Sequence, residues 1–225
     1  MPQSCSAGTA YHKTSIMSYE KQVDKSHYSF ERYFYPGRWM SYWYQTKEIT
    51  TRREIASVLD VGPGTTFMRD VLKIHRPDIR YQSLDIADDL QPDTTGSVLD
   101  IPLADCTYDV VTAFEVLEHI EFADFDRALA EMKRVSKKYV FISLPHFGPS
   151  LEVDIKIPLL PRVRFACKVP WPRAHQFGGQ HYWEIGKKGY TPSRIRSRLL
   201  AHFDILDEYV PFENQYHRFY ILEKK

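Results

Sequence analysis

The sequence predicts an α/β fold, a mostly parallel sheet covered by helices on both faces, and three observations carry that prediction. In "SVLDVGPGTTF" (57–67) an aliphatic run, Val58, Leu59 and Val61, stops at a Gly-Pro-Gly turn and gives way to helical spacing. In "KYVFISLP" (138–145) the middle is apolar throughout, as in a strand buried on both faces. Between them, Phe122, Phe125, Leu129, Met132 and Val135 recur at three- and four-residue steps, the stripe of an amphipathic helix over 122–136.

The elements follow in order. Residues 1 to about 18 are polar and irregular and read as loosely held. "HYSFERYFYPGRWMSYWYQTKEI" (27–49) is more than a third aromatic, and from Arg38 onward it reads as a helix leading to the strand at 57–61. Phe67, Val71 and Leu72 form the stripe of a helix over 66–75, with Thr65 or Thr66 placed to cap it and Pro77 ending the element. "YQSLDI" (81–86) is the second strand, "SVLDIP" (97–102) holds a short third, and "YDVVTAFEVLEHI" (108–120) begins as the fourth and runs into a loop near Glu115. Residues 146–190 are rich in proline, aromatic and basic residues and too long for an ordinary connection, so they read as a functional cap. Thr191 as N-cap and Pro192 at the first helical position open a helix with Ile195, Leu199 and Leu200 on one face. "FDILDEYV" and "HRFYILEK" close the chain as two strands joined near Glu213 and Asn214. The organisation is one domain in four parts: a tail and aromatic helical lid (1–56), a ligand-binding core (57–145), a cap (146–190) and a terminal helix and hairpin (191–225).

A formal net charge of +1 over 225 residues argues against a dedicated nucleic-acid binder. Cys5, Cys106 and Cys167 are far apart, odd in number and without a CxxC pair, which reads as reduced thiols and no zinc site. No apolar h-region follows a basic start and no apolar run is long enough to span a bilayer, so a cytoplasmic protein without a transmembrane segment is expected.

The glycine loop excludes two ligand classes. A dinucleotide fingerprint needs a third glycine where Phe67 stands, and Pro63 separates the two that are present. The loop lacks Gly-Lys-Ser/Thr, so it is no phosphate-binding P-loop. A ligand without phosphates, carrying a polar tail that lies along the backbone, fits better.

With these motifs in order, residues 57–145 resemble the class I S-adenosylmethionine-dependent methyltransferases, in particular the broad small-molecule "type 11" group. "VLDVGPG" is similar to the family's first motif, which implies Asp60 as its acidic residue and Gly62 and Gly64 as the points of close backbone approach to the cofactor. "LDI" implies that Asp85 accepts the ribose hydroxyls, with Ile86 beside it. "LDIPLADCTYDVV" resembles the family's D-x-x-x-L-P-F-x-D-x-S-F-D-V-V region, which implies Asp100 on the adenine amino group and Ile101 against the ring. "FEVLEHI" implies Phe114 and Glu115 beside the cofactor. The resemblance also implies a Rossmann-like seven-stranded sheet with an antiparallel C-terminal hairpin. The link from Asp85 to Asp100 is short for the family, and "SKKY" replaces its usual "PGG".

Methyl transfer to oxygen, or to a protonated amine, also needs a base. His146 after the fifth strand and His181 in "GGQHYWEIG" are the candidates, with His119 behind them. His175, His181 and Glu184 share the cap, but their spacing matches no usual zinc pattern and no metal is expected. Trp183 and Glu184 read either as a substrate wall or as a buried anchor, and Tyr28, Tyr33 and Trp39 are the lid residues expected near a ligand. From Lys156 to Arg198 ten basic residues face the single acidic Glu184, which reads as a solvated face or as a site for an anionic or lipid-linked small molecule. "IPLLPRVRFACKVPW" interleaves apolar and basic residues, with prolines that prevent a continuous amphipathic helix, and suggests interfacial membrane contact. The expected function is methyl transfer to oxygen or nitrogen of a small polar metabolite, natural product or glycan. Its alternatives are a non-catalytic cofactor-binding or regulatory protein and an RNA-modifying enzyme that uses the basic cap.

Overall fold

Val58, Leu59 and Val61 are buried because their strand lies inside a sheet packed on both faces. The computed structural model describes residues 21, 22 and 25–225. In chain order they form α1 (Phe30–Tyr33), α2 (Pro36–Thr50), β1 (Ser57–Val61), α3 (Phe67–His75), β2 (Arg80–Asp85), β3 (Thr94–Thr95) and β4 (Tyr108–Phe114). Then come α4 (Phe125–Val135), β5 (Ser136–Pro145), β6 (Ser150–Ile155), β7 (Val163–Lys168), α5 (Pro192–His202), β8 (Phe203–Tyr209) and β9 (His217–Lys224). Seven strands make one sheet in the order β3-β2-β1-β4-β5-β9-β8. The first five pair in parallel, while β9 runs antiparallel to both β5 and β8. The predicted mostly parallel sheet with an antiparallel terminal hairpin is therefore present.

Each face has its own core. On one, Ile49 of α2 and Met68 and Leu72 of α3 meet Val58, Val110 and Phe141. On the other, Phe125, Ala128, Leu129, Met132 and Val135 of α4 and Ile195 and Leu199 of α5 pack on Leu59, Val111 and Val140. The α4 stripe is the predicted one except at its start: Phe122 lies in a preceding 3-10 turn and stacks on Phe125 at 5.5 Å. α5 begins as its sequence demands, with the Arg194 amide donating to the Thr191 hydroxyl at 3.2 Å. At α3 it is the Thr65 hydroxyl that accepts from the Phe67 amide, whereas Thr66 donates to Asp70 instead.

Two expectations need correction, and the cap gains a detail. The third strand is Thr94–Thr95, not part of 97–102; there the chain turns back on itself, with the Asp100 amide donating to the Ser97 carbonyl at 3.1 Å. The cap contains a two-stranded hairpin, β6 with β7, whose connection leaves Ile157, Leu159 and Leu160 exposed. Of the thiols expected to be reduced, Cys167 is free and Cys106 is disulfide-bonded, while Cys5 lies outside the described residues. Among the described residues no helix is long and apolar enough to cross a membrane.

Candidate active site

The parallel order places the C-terminal ends of β1, β2 and β4 along one edge, where loops rather than pairing decide what a ligand meets. Gly62 and Gly64 both take φ of +62°, and the space each would need for a Cβ is already filled. At Gly62 that atom would lie 2.7 Å from a Val116 methyl, and at Gly64 it would lie 2.6 Å from the Tyr28 ring. Asp60 sits below this loop, buried, and accepts hydrogen bonds from the Tyr81 hydroxyl at 2.7 Å and the Thr112 hydroxyl at 2.8 Å. Burial pushes its carboxyl up to about 7, against those two bonds.

Three cavities meet at this edge: one of about 300 Å³ lies beyond Gly64 against Tyr81 and Pro92, and the other two flank Gly62. The first of these two, of about 130 Å³, is a mainly apolar slot between the β2 end and the Gly62–Val116 contact. Asp85 and Ile86 line it as expected; Asp85 keeps one oxygen on the Ala87 amide at 2.9 Å, and burial raises its pKa. Ser97 and Val98 form the opposite wall. Asp100 and Ile101 do not reach the slot: Asp100 is exposed, and Ile101 is buried in the α4 core, its amide donating to Glu131 at 2.9 Å. The tight turn at Ser97–Asp100 is the physical cause.

The second cavity, of about 280 Å³, is a polar chamber sharing Tyr28, Gly62, Glu115 and His119 with the slot. Its lid is the aromatic N-terminal segment: Tyr28, Tyr33, Arg38 and Tyr42, with the Arg38 guanidinium 4.4 Å over the Tyr33 ring. The β4 end supplies Phe114, Glu115, Glu118 and His119, and the cap supplies Gln180 and His181. Glu115 occupies a left-handed conformation, φ +56°, which costs energy in a non-glycine residue and marks a site where the surroundings dictate the backbone. Its carboxylate accepts from the Ser143 hydroxyl at 2.8 Å and lies 3.4 Å from His217 Nε2; burial pushes its pKa up to about 7.

Of the three candidate bases, the structure brings His181 and His119 to the chamber and leaves His146 out. His181 Nδ1 lies 3.0 Å from Glu184 Oε1, and Glu184 also accepts from the Tyr216 hydroxyl at 2.9 Å. Burial works to raise the Glu184 pKa, but these two bonds hold it below its ordinary value. His146 is buried behind the strand end, its amide donating to Tyr216, and lines neither cavity. Burial first, then Arg218 and Lys168, lowers its pKa to about 3.

The remaining expectations divide. Trp183 is no substrate wall: it is fully buried against Phe122 and Phe125, and its indole N–H donates to the Ile120 carbonyl at 3.1 Å. Glu184 lines neither cavity and acts on the chamber through His181 and Tyr216. Trp39 packs on Phe67 and Phe34 outside the chamber, whereas Tyr28 and Tyr33 line it. Four of the ten basic residues pair with carboxylates: Arg162 with Asp154, Arg164 with Asp154 and Glu213, Arg196 with Glu208 and Arg198 with Asp126. That favours the solvated-face reading. Sequence reasoning missed Arg38, Tyr42, Glu118 and Tyr216 as site residues; Arg38 and Tyr42 lie in the aromatic stretch 27–49 and Glu118 in "LEHI", both already singled out, whereas Tyr216 stands in no such stretch.

Residues 59–143 match a protein-family model described as a methyltransferase domain. Among curated proteins none matches. Several hundred solved chains do. A methyltransferase from Aquifex aeolicus, named as SAM-dependent, aligns with a TM-score of 0.56 at 16% identity over 90% of this chain and 100% of that one. A Burkholderia thailandensis 1,6-didemethyltoxoflavin-N1-methyltransferase, solved with its acceptor and S-adenosylhomocysteine, gives 0.52 at 14% identity over 83% and 85%. The small RNA methyltransferase HEN1 gives 0.58 at 12% identity over 86% of this chain and 26% of its own. At these identities the likeness is one of fold.

Proposed function

We propose that this chain, a class I S-adenosylmethionine-dependent methyltransferase by its domain at 59–143, methylates an oxygen or nitrogen of a small polar metabolite, natural product or glycan. The observation that carries the reading is the pair of abutting cavities: an apolar slot edged by Asp85 and a polar chamber, joined across Gly62. The slot suits the adenosine of S-adenosylmethionine, with Asp85 accepting from the ribose hydroxyls, Ile86 and Val98 against the ring, and Ser97 at its edge. The Gly62–Gly64 backbone would hold the methionine portion, beside the chamber that would take the acceptor.

In the reaction an acceptor lone pair forms the new bond to the methyl carbon while the S–CH3 pair stays on sulfur, leaving S-adenosylhomocysteine. The chain's own task is positioning and exclusion of water. Tyr28, Tyr33 and Arg38 close the chamber from the lid side. The acceptor proton is drawn off in the corner formed by His119, His181 and Glu118, where both histidines are partly exposed and His181 is oriented by Glu184. His146 keeps no catalytic part in this reading.

A second reading, methylation of RNA, draws support from the named activity of one structural neighbour; the formal net charge of +1 weighs against it. A non-catalytic role is weakened by the open chamber. Incubation with methyl-labelled cofactor and separate pools of polar metabolites, natural-product hydroxyls, oligosaccharides and short RNAs separates them. Label in a small-molecule pool is expected. Label confined to RNA selects the second reading, and cofactor binding without label in any pool overturns the enzymatic one.

A further inference from the structure

Glu118 is fully buried, and neither of its carboxylate oxygens has a hydrogen-bond partner among the described residues. It nevertheless lines the polar chamber rather than the hydrophobic core. A carboxylate in that state is costly, and an unsatisfied buried charge calls for a specific partner. Two imidazoles face it from different parts of the chain. His119 Nε2 lies 4.0 Å and His181 Nε2 3.9 Å from the same oxygen, Oε1, too far for hydrogen bonds. Their rings stand 5.0 Å apart, nearly perpendicular, at 84°.

The other nitrogen of each ring is already engaged. His119 Nδ1 lies 2.6 Å from Gln22 Oε1 and 3.2 Å from the Gln180 carbonyl, both acceptors, so it carries the proton. His181 Nδ1 donates likewise to Glu184. Both tautomers are thereby fixed with the Nε2 lone pair aimed at Glu118. A histidine whose outer N–H is held by a carboxylate or carbonyl while its inner nitrogen faces an anionic ligand is the arrangement that orients metal ligands. One ligand atom from each of the three residues lies within 4.8 Å of the others. Donors sharing an ion at roughly 2.1 Å lie at most about 4.2 Å apart, so small inward rotations of the rings complete the set.

We propose that Glu118, His119 and His181 hold a divalent transition-metal cation in the wall of the acceptor chamber. Two imidazoles and one carboxylate select a borderline first-row ion over magnesium or calcium, and three protein ligands leave coordination positions open toward the chamber. The inference rests on the methyltransferase reading and deepens it. An acceptor oxygen would enter an open position, where the cation lowers its pKa. That oxygen then attacks the methyl carbon, the S–CH3 pair remains on sulfur, and the acceptor proton leaves to water in the chamber. The substrate class narrows accordingly, from oxygen or nitrogen to oxygen. His181 then serves the acceptor through the ion instead of taking its proton.

The test uses the full chain, stripped with chelator and dialysed, titrated with Co²⁺ alone and followed by its absorption and by elemental analysis. One Co²⁺ per chain is expected, with a rise in melting temperature as the ion binds the folded state. His181→Ala, which alters a partly exposed side chain, should weaken binding by about 100-fold, and Glu184→Gln by about 10-fold through loss of ring orientation. Glu118→Gln, close to isosteric, should remove binding and leave the metal-free chain folded. S-adenosylhomocysteine affinity, measured on the same samples, should stay within about threefold in all three variants, so a failure of the cofactor reading shows itself separately. No stoichiometric cobalt in folded wild type, or cobalt binding untouched by His181→Ala, overturns the proposal.

Discussion

The slot and the chamber share a wall but are built on opposite plans. Most residues that line the slot sit at a strand end or in the turn just after it: Val61 and Gly62 at the end of β1, Asp85 and Ile86 at the end of β2, Ser97 and Val98 after β3, Val116 after β4; Lys21, Gln22 and Tyr28 reach it from the N-terminal segment. The chamber shares the β1 loop (60–68) and the β4 end (114–119) with the sheet edge but adds residues from 27–45, 180–181 and 216, which reach it only when the lid and the cap fold over the sheet. The first plan ties a ligand site to the register of the sheet and makes it reusable. The second leaves the acceptor site free to change without disturbing the first.

That difference predicts separable losses. The largest falls on the chamber. His181→Ala should reduce methyl transfer by roughly 10²- to 10⁴-fold, the ordinary worth of a positioned acid–base or metal-held group, with cofactor affinity unchanged. Steady-state rates beside calorimetric affinities check the split, and a parallel loss of both would show that the two cavities do not function separately. Next comes the anchor between cap and sheet. Trp183→Ala should destabilise the fold by about 3–5 kcal/mol, the cost of emptying a buried aromatic site. Trp39→Ala, at a site 39% exposed, should cost far less. Urea unfolding of the pair decides; equal effects would mean that Trp183 is not the anchor its burial implies.

The smallest effect concerns pH. His146 stays neutral in the fold with its pKa lowered to about 3, while in the unfolded chain it titrates near 6.5. The unfolded state therefore binds the extra proton between those values. Stability present above about pH 6.5 declines as pH falls toward 3, at up to about 1.4 kcal/mol per unit. His146→Gln should flatten that slope by one proton in urea melts at pH 7, 5.5 and 4.5. An unchanged slope would mean that His146 is already protonated in the native protein.

The fold was legible because its signals are local. β1 and β5 announce themselves as aliphatic runs, α4 by the spacing of Phe125, Leu129, Met132 and Val135, and α5 by Thr191-Pro192. The slot was half legible for the same reason. Asp85 ends its strand, but Asp100 drew attention through its place in a family-like motif while the turn at Ser97 carried the cavity wall. The chamber was nearly illegible. Glu118 and Tyr216 are ordinary in sequence, and their partners lie 63 and 32 residues away, at His181 and Glu184, brought together only by the way the cap docks. Trp183 misled because an aromatic beside a histidine and a glutamate looks like a binding wall, whereas the strand-like pairing of Ile185 with Pro145 turns it into the core.

The most direct measurement is calorimetric titration of S-adenosylmethionine and S-adenosylhomocysteine into wild type, Asp85→Ala and His181→Ala. The account predicts binding to wild type, a loss of about 100-fold in Asp85→Ala from two forfeited hydrogen bonds to a charged group, and near-wild-type affinity in His181→Ala. Wild type that binds neither ligand, or Asp85→Ala that binds as tightly as wild type, would contradict it.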